Sequence, residues 1–324
     1  MKIVVIGGSG HIGTFLVPRL VRAGREVVSM TRSGRTRYAA SPEWEEVTHV
    51  AVDREKQDAD GTFGRTVLAQ QPDVVIDLLC FTIESATSLV DALRGEVGHL
   101  LHCGSLFRYG PTVKYPIHEG GGTEAIDEYG RQKEAIARML IAESASPGGL
   151  STTSIHPGHI VGPGWLPINP LGNTDVSAWH RISSGTPLRV PSQGGDTMHH
   201  VHADDVAQLF QLAVENREAA AGEDFHAVAP SALTVRGYAG IAGGWFGRPG
   251  EIEPISWEQY RSETTEAFAQ HSWDHLHRSH CLSIDKPRSV LGYAPAYEPE
   301  QAILESVRWL IEHGELEVAR PLQV

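Results

Sequence analysis

Runs of β-branched and aliphatic residues alternate with amphipathic segments along the first half of the chain. Residues 3–6 are apolar throughout, as expected for a parallel strand that is covered on both faces. Similar strand-like runs occur at residues 26–31, 47–52, 73–79 and 99–105, and apolar positions with helical spacing occur at residues 63–71 and 85–94. This alternation predicts an α/β fold with a doubly wound parallel sheet, in which ligands bind at the carboxyl ends of the strands.

The composition changes near residue 157. Pro, Gly and Trp are frequent at residues 157–172, which indicates an exit from the sheet into a separate lobe. We expect helices at 176–184, 204–215 and 300–313, with Asp204 as the N-cap of the second, and a strand at 225–228. The predicted organisation is a sheet domain at residues 1–165 and 196–232, with a smaller C-terminal lobe at residues 166–195 and 233–324.

A glycine-rich turn follows the first predicted strand. Gly7, Gly10 and Gly13 have G-x-x-G-x-x-G spacing, and the apolar positions behind them indicate a helix that ends near residue 24. Glycines at such a turn let backbone N–H groups approach a pyrophosphate, which also faces the positive end of the helix dipole. This order of strand, turn and helix favours dinucleotide binding over a purely structural turn. The contacts expected from this segment are Gly7, Ser9, Gly10, His11, Ile12 and Gly13.

The end of the second predicted strand carries the residues expected to select the cofactor. A NAD site usually has Asp or Glu about 20 residues after the glycines, whereas this chain has Thr31, Arg32 and Ser33. An arginine there suits a 2′-phosphate, so NADP(H) is favoured and NAD is the alternative. A solvated basic loop without a ligand is the structural alternative. Asp53, which follows the third strand, is expected at the adenine edge.

Composition and charge narrow the range of partners. The 324 residues carry a formal net charge of −13 without a basic stripe, which argues against binding nucleic acid through its phosphates. No apolar run approaches the ~20 residues of a membrane span, and a first strand at residue 3 leaves no room for a signal peptide. Three cysteines without C-x-x-C spacing are typical of a reducing compartment. We therefore expect a cytoplasmic protein with a small-molecule substrate, no membrane partner and a possible homodimeric state.

Three polar residues are candidates for the chemistry. Tyr129 and Lys133 lie one turn apart on a helix predicted to begin near Thr123, so they share a face of that helix. A Tyr-x-x-x-Lys spacing is a weak signal by itself. Here it follows the fifth strand and Ser105 in a chain that already has the glycine motif, which favours a catalytic role.

With these residues the sequence resembles the extended short-chain dehydrogenase/reductase family, in its NAD(P)-dependent epimerase/dehydratase branch, over nearly the whole chain. Besides the glycines and the Ser, Tyr and Lys residues, the matching segments are 156–163 (HPGHIVGP), 201–207 (VHADDVA) and 285–295 (DKPRSVLGYAP). Residues 77–79 and the missing Arg before His202 look closer to the subgroup that contains plant chloroplast RNA-binding members. The resemblance implies a Rossmann fold with a substrate-binding lobe. It also implies cofactor contacts at Leu78, Leu79, Lys133, His156, Pro157 and Gly158.

The resemblance also implies roles for the three candidate residues. Tyr129 is the general acid/base at a substrate hydroxyl or carbonyl, Ser105 positions the same oxygen, and Lys133 holds the nicotinamide ribose. A cationic Lys133 and an oxidised nicotinamide would stabilise the phenolate, so we expect the pKa of Tyr129 to lie below ~10.

Two departures from the family motifs bear on the reaction. Leu106 and Phe107 replace the acidic pair that dehydratases carry after the serine, so dehydration is not expected. Residues 198–202 (MHHVH) lack the arginine that nucleotide-sugar epimerases place on the diphosphate. The sequence therefore favours an oxidoreductase that transfers hydride at a carbon of a sugar-like or small polar substrate. A sugar or nucleotide-sugar epimerase with bound NAD is the alternative, and a non-catalytic binding protein on the same fold is a third.

Histidines form two groups late in the chain. They are His199, His200 and His202 in the first group, and His271, His275, His277 and His280 in the second. Histidines at H-x₃-H spacing can form a metal-binding face on a helix. No acidic or cysteine ligand pattern accompanies either group, so we expect pocket or surface histidines and no metal.

Overall fold

The computed structural model describes residues 1–32 and 41–324. The first half alternates strands and helices, and two 3₁₀ turns lie at Pro42–Glu46 and Leu106–Arg108. The elements are β1 (Lys2–Ile6), α1 (His11–Arg22), β2 (Glu26–Thr31), β3 (Thr48–Ala51), α2 (Arg54–Ala59), α3 (Phe63–Leu68), β4 (Val74–Asp77), α4 (Ile83–Leu93), β5 (His99–Cys103), α5 (Glu128–Ala145) and β6 (Thr152–Pro157).

The second half returns to the sheet and adds a lobe. Its elements are β7 (His159–Val161), α6 (Ser177–Ser184), β8 (Leu188–Val190), β9 (Thr197–Met198), β10 (His200–His202), α7 (Ala203–Glu215), α8 (Arg217–Ala220), β11 (Glu223–Ala227), β12 (Leu233–Thr234), α9 (Val235–Trp245), β13 (Ile252–Pro254), α10 (Trp257–Glu263), α11 (Glu266–Leu276), α12 (Asp285–Leu291) and α13 (Pro299–Glu312). No helix among these is long and apolar enough to cross a membrane.

Seven parallel strands form the central sheet, in the order β11-β6-β5-β4-β1-β2-β3. Alternate residues of β1 enter different cores: Ile3 and Val5 pack with α1 and α7, whereas Val4 and Ile6 pack with α3, α4 and α5. An apolar strand is required because both of its faces are buried. The predicted doubly wound parallel sheet is therefore confirmed.

A further core lies outside the sheet. It gathers apolar side chains of α6, α9 and α13 around the fully buried Trp179. Leu291 of α12 instead packs into the core beneath the sheet, although it falls within the predicted C-terminal lobe. The predicted domain boundaries stay a prediction.

Two helix starts differ from the predictions. The helix α5 begins at Glu128 rather than near Thr123, because Asp127 caps it by accepting a 2.6 Å hydrogen bond from the Gly130 N–H. The predicted N-cap of α7 is wrong: His202 holds that position, and its ring accepts a hydrogen bond from the Asp204 N–H. The Asp204 carboxylate instead binds Arg19 of α1 at 2.6 Å through both oxygens. The expected strand at 225–228 is β11, at the edge of the main sheet.

Candidate cofactor and active site

The glycine turn joins β1 to α1. Gly7 has a φ of +85°, which side-chain-bearing residues rarely adopt, and a Cβ on Gly13 would lie 2.3 Å from the Gly8 carbonyl oxygen. These two glycines therefore permit the turn and bring α1 tightly against it. The N-cap of α1 is Gly10, which has no side chain to cap the helix. The first backbone N–H groups of α1 are thus free of a side-chain cap and available to an anion.

A cavity of about 960 Å³ opens beside this turn, at the carboxyl ends of the strands. Several residues predicted to bind the cofactor line it: Gly7, Ser9, Gly10, Thr31, Arg32, Asp53 and Leu79. Its volume suits a dinucleotide, since ligand pockets typically measure about 300–1,000 Å³. The glycine cradle, the uncapped helix end and the cavity volume together fit this class of cofactor.

Charged side chains on the cavity wall include residues that the sequence prediction did not identify. The wall carries Asp53, Glu55, Asp58 and Glu84 against Arg32 and Arg54. Arg54 is engaged, because it binds Asp77 at 2.5 Å and Asp58 at 3.2 Å. Arg32 is exposed and forms no ion pair with residues 1–32 or 41–324. Arg54 directly follows Asp53, but no local sequence pattern shows that the Arg54 side chain would reach Asp77 at the end of β4.

Other predicted cofactor contacts lie apart from the cavity wall. Ile12 and Leu78 pack into the core beneath the sheet, and His11 is buried with its ring stacked on Trp165 at 4.5 Å between centroids. Ser33 lies outside the described residues. Asp53 serves two purposes, because it lines the cavity and also caps α2 by accepting a 3.1 Å hydrogen bond from the Lys56 N–H.

The segment at residues 156–158 lies behind the active-site turn. The His156 ring is fully buried and accepts a 2.7 Å hydrogen bond from Arg108. Pro157 ends β6, and Gly158 is packed so closely that a Cβ would lie 2.3 Å from the His199 carbonyl oxygen. The structure therefore places the His156 side chain in a buried polar network with Arg108 rather than on the cavity wall.

Lys133 joins the ends of two central strands. Its side chain is 1 % exposed, and Nζ donates hydrogen bonds to the carbonyl oxygens of Cys80 at 2.6 Å and Cys103 at 2.8 Å. Burial lowers the pKa of this amine. The ammonium also lies 4.8 Å from the ring centre of Phe81, which lines the cavity, and 5.7 Å from that of Tyr129. Lys133 thus connects the cavity to Tyr129.

The Tyr129 hydroxyl lies near Ser105, and the Lys133 ammonium is 5.7 Å from the centre of the Tyr129 ring, so the structure brings the three candidate residues together. The predicted decrease in the pKa of Tyr129 assumes an oxidised nicotinamide beside it and stays a prediction. Burial raises the pKa to about 12, and the hydrogen bond from Ser105 lowers it by a smaller amount. Tyr129 is therefore protonated at neutral pH.

Aromatic and imidazole rings form the other side of Tyr129. The Phe107 ring lies 6.3 Å from the Tyr129 ring, 6.2 Å from His159 and 5.2 Å from His275, measured between centroids. His159 was not among the predicted site residues. Its only local signal is a position just after the Pro-Gly pair that ends β6. Within residues 1–32 and 41–324, no group of three or more His, Cys, Asp or Glu side chains is arranged to hold a metal ion.

Comparison with known proteins agrees with this geometry. The chain is 28% identical over 323 residues to the chloroplast stem-loop binding protein of 41 kDa b from Arabidopsis thaliana, covering 94% of this chain and 78% of that protein. It is 27% identical over 323 residues to 2'-dehydrokanamycin reductase from Streptomyces kanamyceticus, covering 97% and 86%.

Solved structures share the fold. UDP-glucose 4-epimerase from Thermotoga maritima, crystallised with UDP-glucose, superposes with a TM-score of 0.73 at 19% identity, covering 97% of this chain and all of that one. The sequence model described as the NAD dependent epimerase/dehydratase family matches residues 3–227. The glycine turn, the cavity and the parallel sheet all fall within these residues. The chain therefore belongs to the NAD-dependent epimerase/dehydratase family of extended short-chain dehydrogenases/reductases.

Proposed function

We propose that the protein is an NADP(H)-linked reductase of a small, polar or sugar-like ketone. The observation that carries this proposal is the position of Tyr129. Its side chain lies beside Ser105 and Lys133 and next to Phe81 on the cavity wall, where a neutral hydroxyl can give a proton to a carbonyl oxygen. A phenolate would instead be needed to take a proton from a substrate alcohol.

The cavity residues supply the cofactor site in this proposal. The uncapped N-terminus of α1 would bind the pyrophosphate, and Arg32 would bind the 2′-phosphate of NADP(H). When bound, the nicotinamide supplies the hydride that reaches the carbonyl carbon.

The protein's own side chains hold the proton and transfer it to the substrate. Ser105 and Tyr129 both hydrogen-bond the carbonyl oxygen, which fixes its position and polarises the bond. As the carbon is reduced, the oxygen takes the Tyr129 proton and the substrate leaves as an alcohol. The buried Lys133 ammonium then stabilises the tyrosinate until it is reprotonated.

The relatives support a redox reaction of this kind. One relative that aligns with 97% of this chain is named 2'-dehydrokanamycin reductase. Binding of nucleic acid, a cytoplasmic location and a homodimeric state are tested by none of these observations. The predicted absence of nucleic-acid binding rests on the charge of −13.

Epimerisation with a resident NAD is a second candidate, and the acidic wall of the cavity favours it. Four carboxylates line the cavity, and only one of them is bound to Arg54. Carboxylates accept hydrogen bonds from the ribose hydroxyls of NAD and repel a 2′-phosphate. In this reaction the same three residues would remove a proton and return it after the keto intermediate has turned.

Analysis of the purified protein separates the two candidates. The protein is denatured, and the released nucleotide is identified by mass spectrometry. We expect no stoichiometric nucleotide, and calorimetry should give a tighter Kd for NADPH than for NADH. Stoichiometric NAD would overturn the reductase and support the epimerase.

Substitution of Tyr129 tests the proton donor directly. With NADPH and the four-carbon hydroxyketone L-erythrulose, Tyr129→Phe should lower kcat by about 10²- to 10⁴-fold, the usual contribution of a proton-transfer group. The Kd of NADPH should not change. Tyr115→Phe is the matched control, because Tyr115 is an exposed tyrosine that hydrogen-bonds Ser279. A kcat within a few-fold of the parent would show that Tyr129 is not the donor.

A further inference from the structure

A buried histidine without hydrogen bonds lies close to the active site. His159 begins β7 and is 8 % exposed. Neither of its ring nitrogens has a hydrogen-bond partner among residues 1–32 and 41–324. A neutral imidazole has one N–H donor and one acceptor nitrogen, and leaving both unpaired in a protein interior is costly. Such a side chain suits a ligand that can satisfy both nitrogens.

A second histidine narrows the chemistry of that ligand. The His200 ring is 5.3 Å from His159, and its Nε2 lies 3.1 Å from the Ile168 carbonyl oxygen. A carbonyl only accepts, so Nε2 carries the hydrogen and Nδ1 is an acceptor. That Nδ1 is buried and has no partner in the described part of the chain. A ligand at this position must therefore offer a hydrogen-bond donor, which a carboxylate or a diphosphate cannot do.

The surroundings also disfavour an anion. Burial and the neighbouring His275, His200 and His280 keep the pKa of His159 well below its usual range, so the ring is neutral. The nearby buried Arg278 stacks on Phe107 and is ion-paired with Asp127. The rings consequently present no unpaired positive charge to a phosphate.

The position of the pair relates it to the reaction. The centre of the Phe107 ring lies 6.3 Å from that of Tyr129 and 6.2 Å from that of His159, so one aromatic ring separates the two side chains. A hydroxyl group of a substrate whose carbonyl binds at Tyr129 both donates and accepts hydrogen bonds, as the two unpaired rings require.

We propose that His159 and His200 form a specificity subsite that binds a hydroxyl group of a polyhydroxylated ketone. This inference rests on the proposed reductase function, since it assumes that the carbonyl binds at Tyr129. The substrate hydroxyl donates to the acceptor nitrogen of one ring and accepts from the N–H of His159. The subsite thus selects uncharged polyols over nucleotide sugars.

Two ketones with the same carbon skeleton test the subsite. L-erythrulose has three hydroxyl groups, and butan-2-one has none. We expect His159→Phe to raise KM for L-erythrulose by about 3- to 10-fold, as for one lost neutral hydrogen bond, with kcat nearly unchanged. The kinetics of butan-2-one should stay the same. His159→Gln, which keeps a donor and an acceptor, should retain most of the discrimination.

The matched control is His277→Phe, because His277 is exposed and stacks on Trp273 rather than on Phe107. Thermal denaturation gives a further check. A purely structural histidine would lose stability on substitution by Phe, whereas His159 has no hydrogen bonds to lose. The melting temperature of His159→Phe should therefore equal or exceed that of the parent.

A binding measurement separates failure of the subsite from failure of the proposed function. Protein labelled with ¹⁵N-histidine is saturated with NADP⁺, and the imidazole resonances are followed during titration with L-erythrulose or butan-2-one. Shifts of His159 and His200 with L-erythrulose alone support the subsite, and they do so even if no ketone is reduced. Reduction of both ketones without these shifts, or with unchanged discrimination in His159→Phe, would overturn the subsite and leave the reductase standing. Absence of both shifts and turnover would overturn both.

Discussion

The two sides of Tyr129 differ in the charge of the groups that line them. The cofactor cavity presents backbone N–H groups, four carboxylates and an exposed Arg32 to a charged ligand. The opposite side presents neutral rings, among them Phe107, His159 and His200, with unpaired buried nitrogens. One side attracts and orients charge, and the other excludes it. Specificity for cofactor and for substrate can therefore change independently, because the charged residues named on the cavity wall are not among the rings around His159.

The largest expected effect comes from acid, which acts on the imidazole side. The pKa of His200 is lowered to about 3 and that of His275 to about 4, chiefly by burial. Below the ordinary histidine pKa of ~6.5, the unfolded chain binds protons that the folded chain does not bind. The free energy of unfolding therefore decreases as the pH is lowered. Each such histidine lowers the free energy of unfolding by about 1.4 kcal/mol for every pH unit between its pKa in the unfolded chain and its pKa in the folded chain.

Other buried histidines add to this effect, so we expect the protein to unfold cooperatively near pH 5. Urea denaturation at pH 7.5 and pH 5.5 measures the loss. Hydrogen exchange should show that β7 and β10 lose protection before β1 does. Equal stability at the two pH values would mean that the folded chain binds as many protons as the unfolded chain, so that these histidines are protonated when folded.

Arg32 tests the charged side. Arg32→Ala should weaken NADPH binding by about 10- to 150-fold, because a hydrogen bond to a charged group contributes roughly 1.5–3 kcal/mol. The affinity for NADH should hardly change, since NADH lacks the 2′-phosphate. Calorimetric titration of both cofactors against parent and variant measures this. Equal losses, or a parent that prefers NADH, would contradict the NADP assignment.

Gly13 tests how far the cofactor side depends on backbone packing. In Gly13→Ala the new Cβ would meet the Gly8 backbone at 2.3 Å, so α1 must move away from the turn. We expect a stability loss of about 1–3 kcal/mol, typical of overpacking, together with weaker NADPH binding. Gly240→Ala in α9 is the control, since nothing lies within 4 Å of its Cβ. That variant should be neutral or slightly stabilising. Comparable stability of the two variants would refute tight packing at Gly13.

The cofactor side was largely predictable because its signals are local. Gly7, Gly10 and Arg32 follow consecutive strands at fixed spacing, and the structure places all three on one cavity wall. Arg54 was missed because its partner Asp77 belongs to β4. The strand order of the sheet brings the two residues together, and the local sequence around neither residue indicates that order.

The imidazole side could not be predicted in the same way. His159, His200 and His275 come from two strands and a helix. Only the tertiary fold brings the rings of His200 and His275 to about 5 Å from that of His159. The raised pKa of Tyr129 in the chain alone could not be predicted for a similar reason. The Tyr-x-x-x-Lys spacing places a cation nearby, but burial, which outweighs it, is a property of the whole fold.

The position of Lys133 has a consequence for the speed of turnover. Its ammonium is desolvated and bound by the Cys80 and Cys103 carbonyls within the folded chain. Water around a surface lysine would have to reorient each time charge moved onto Tyr129. Here the surrounding dipoles are fixed when the chain folds, so the proposed proton transfer would need little reorganisation energy.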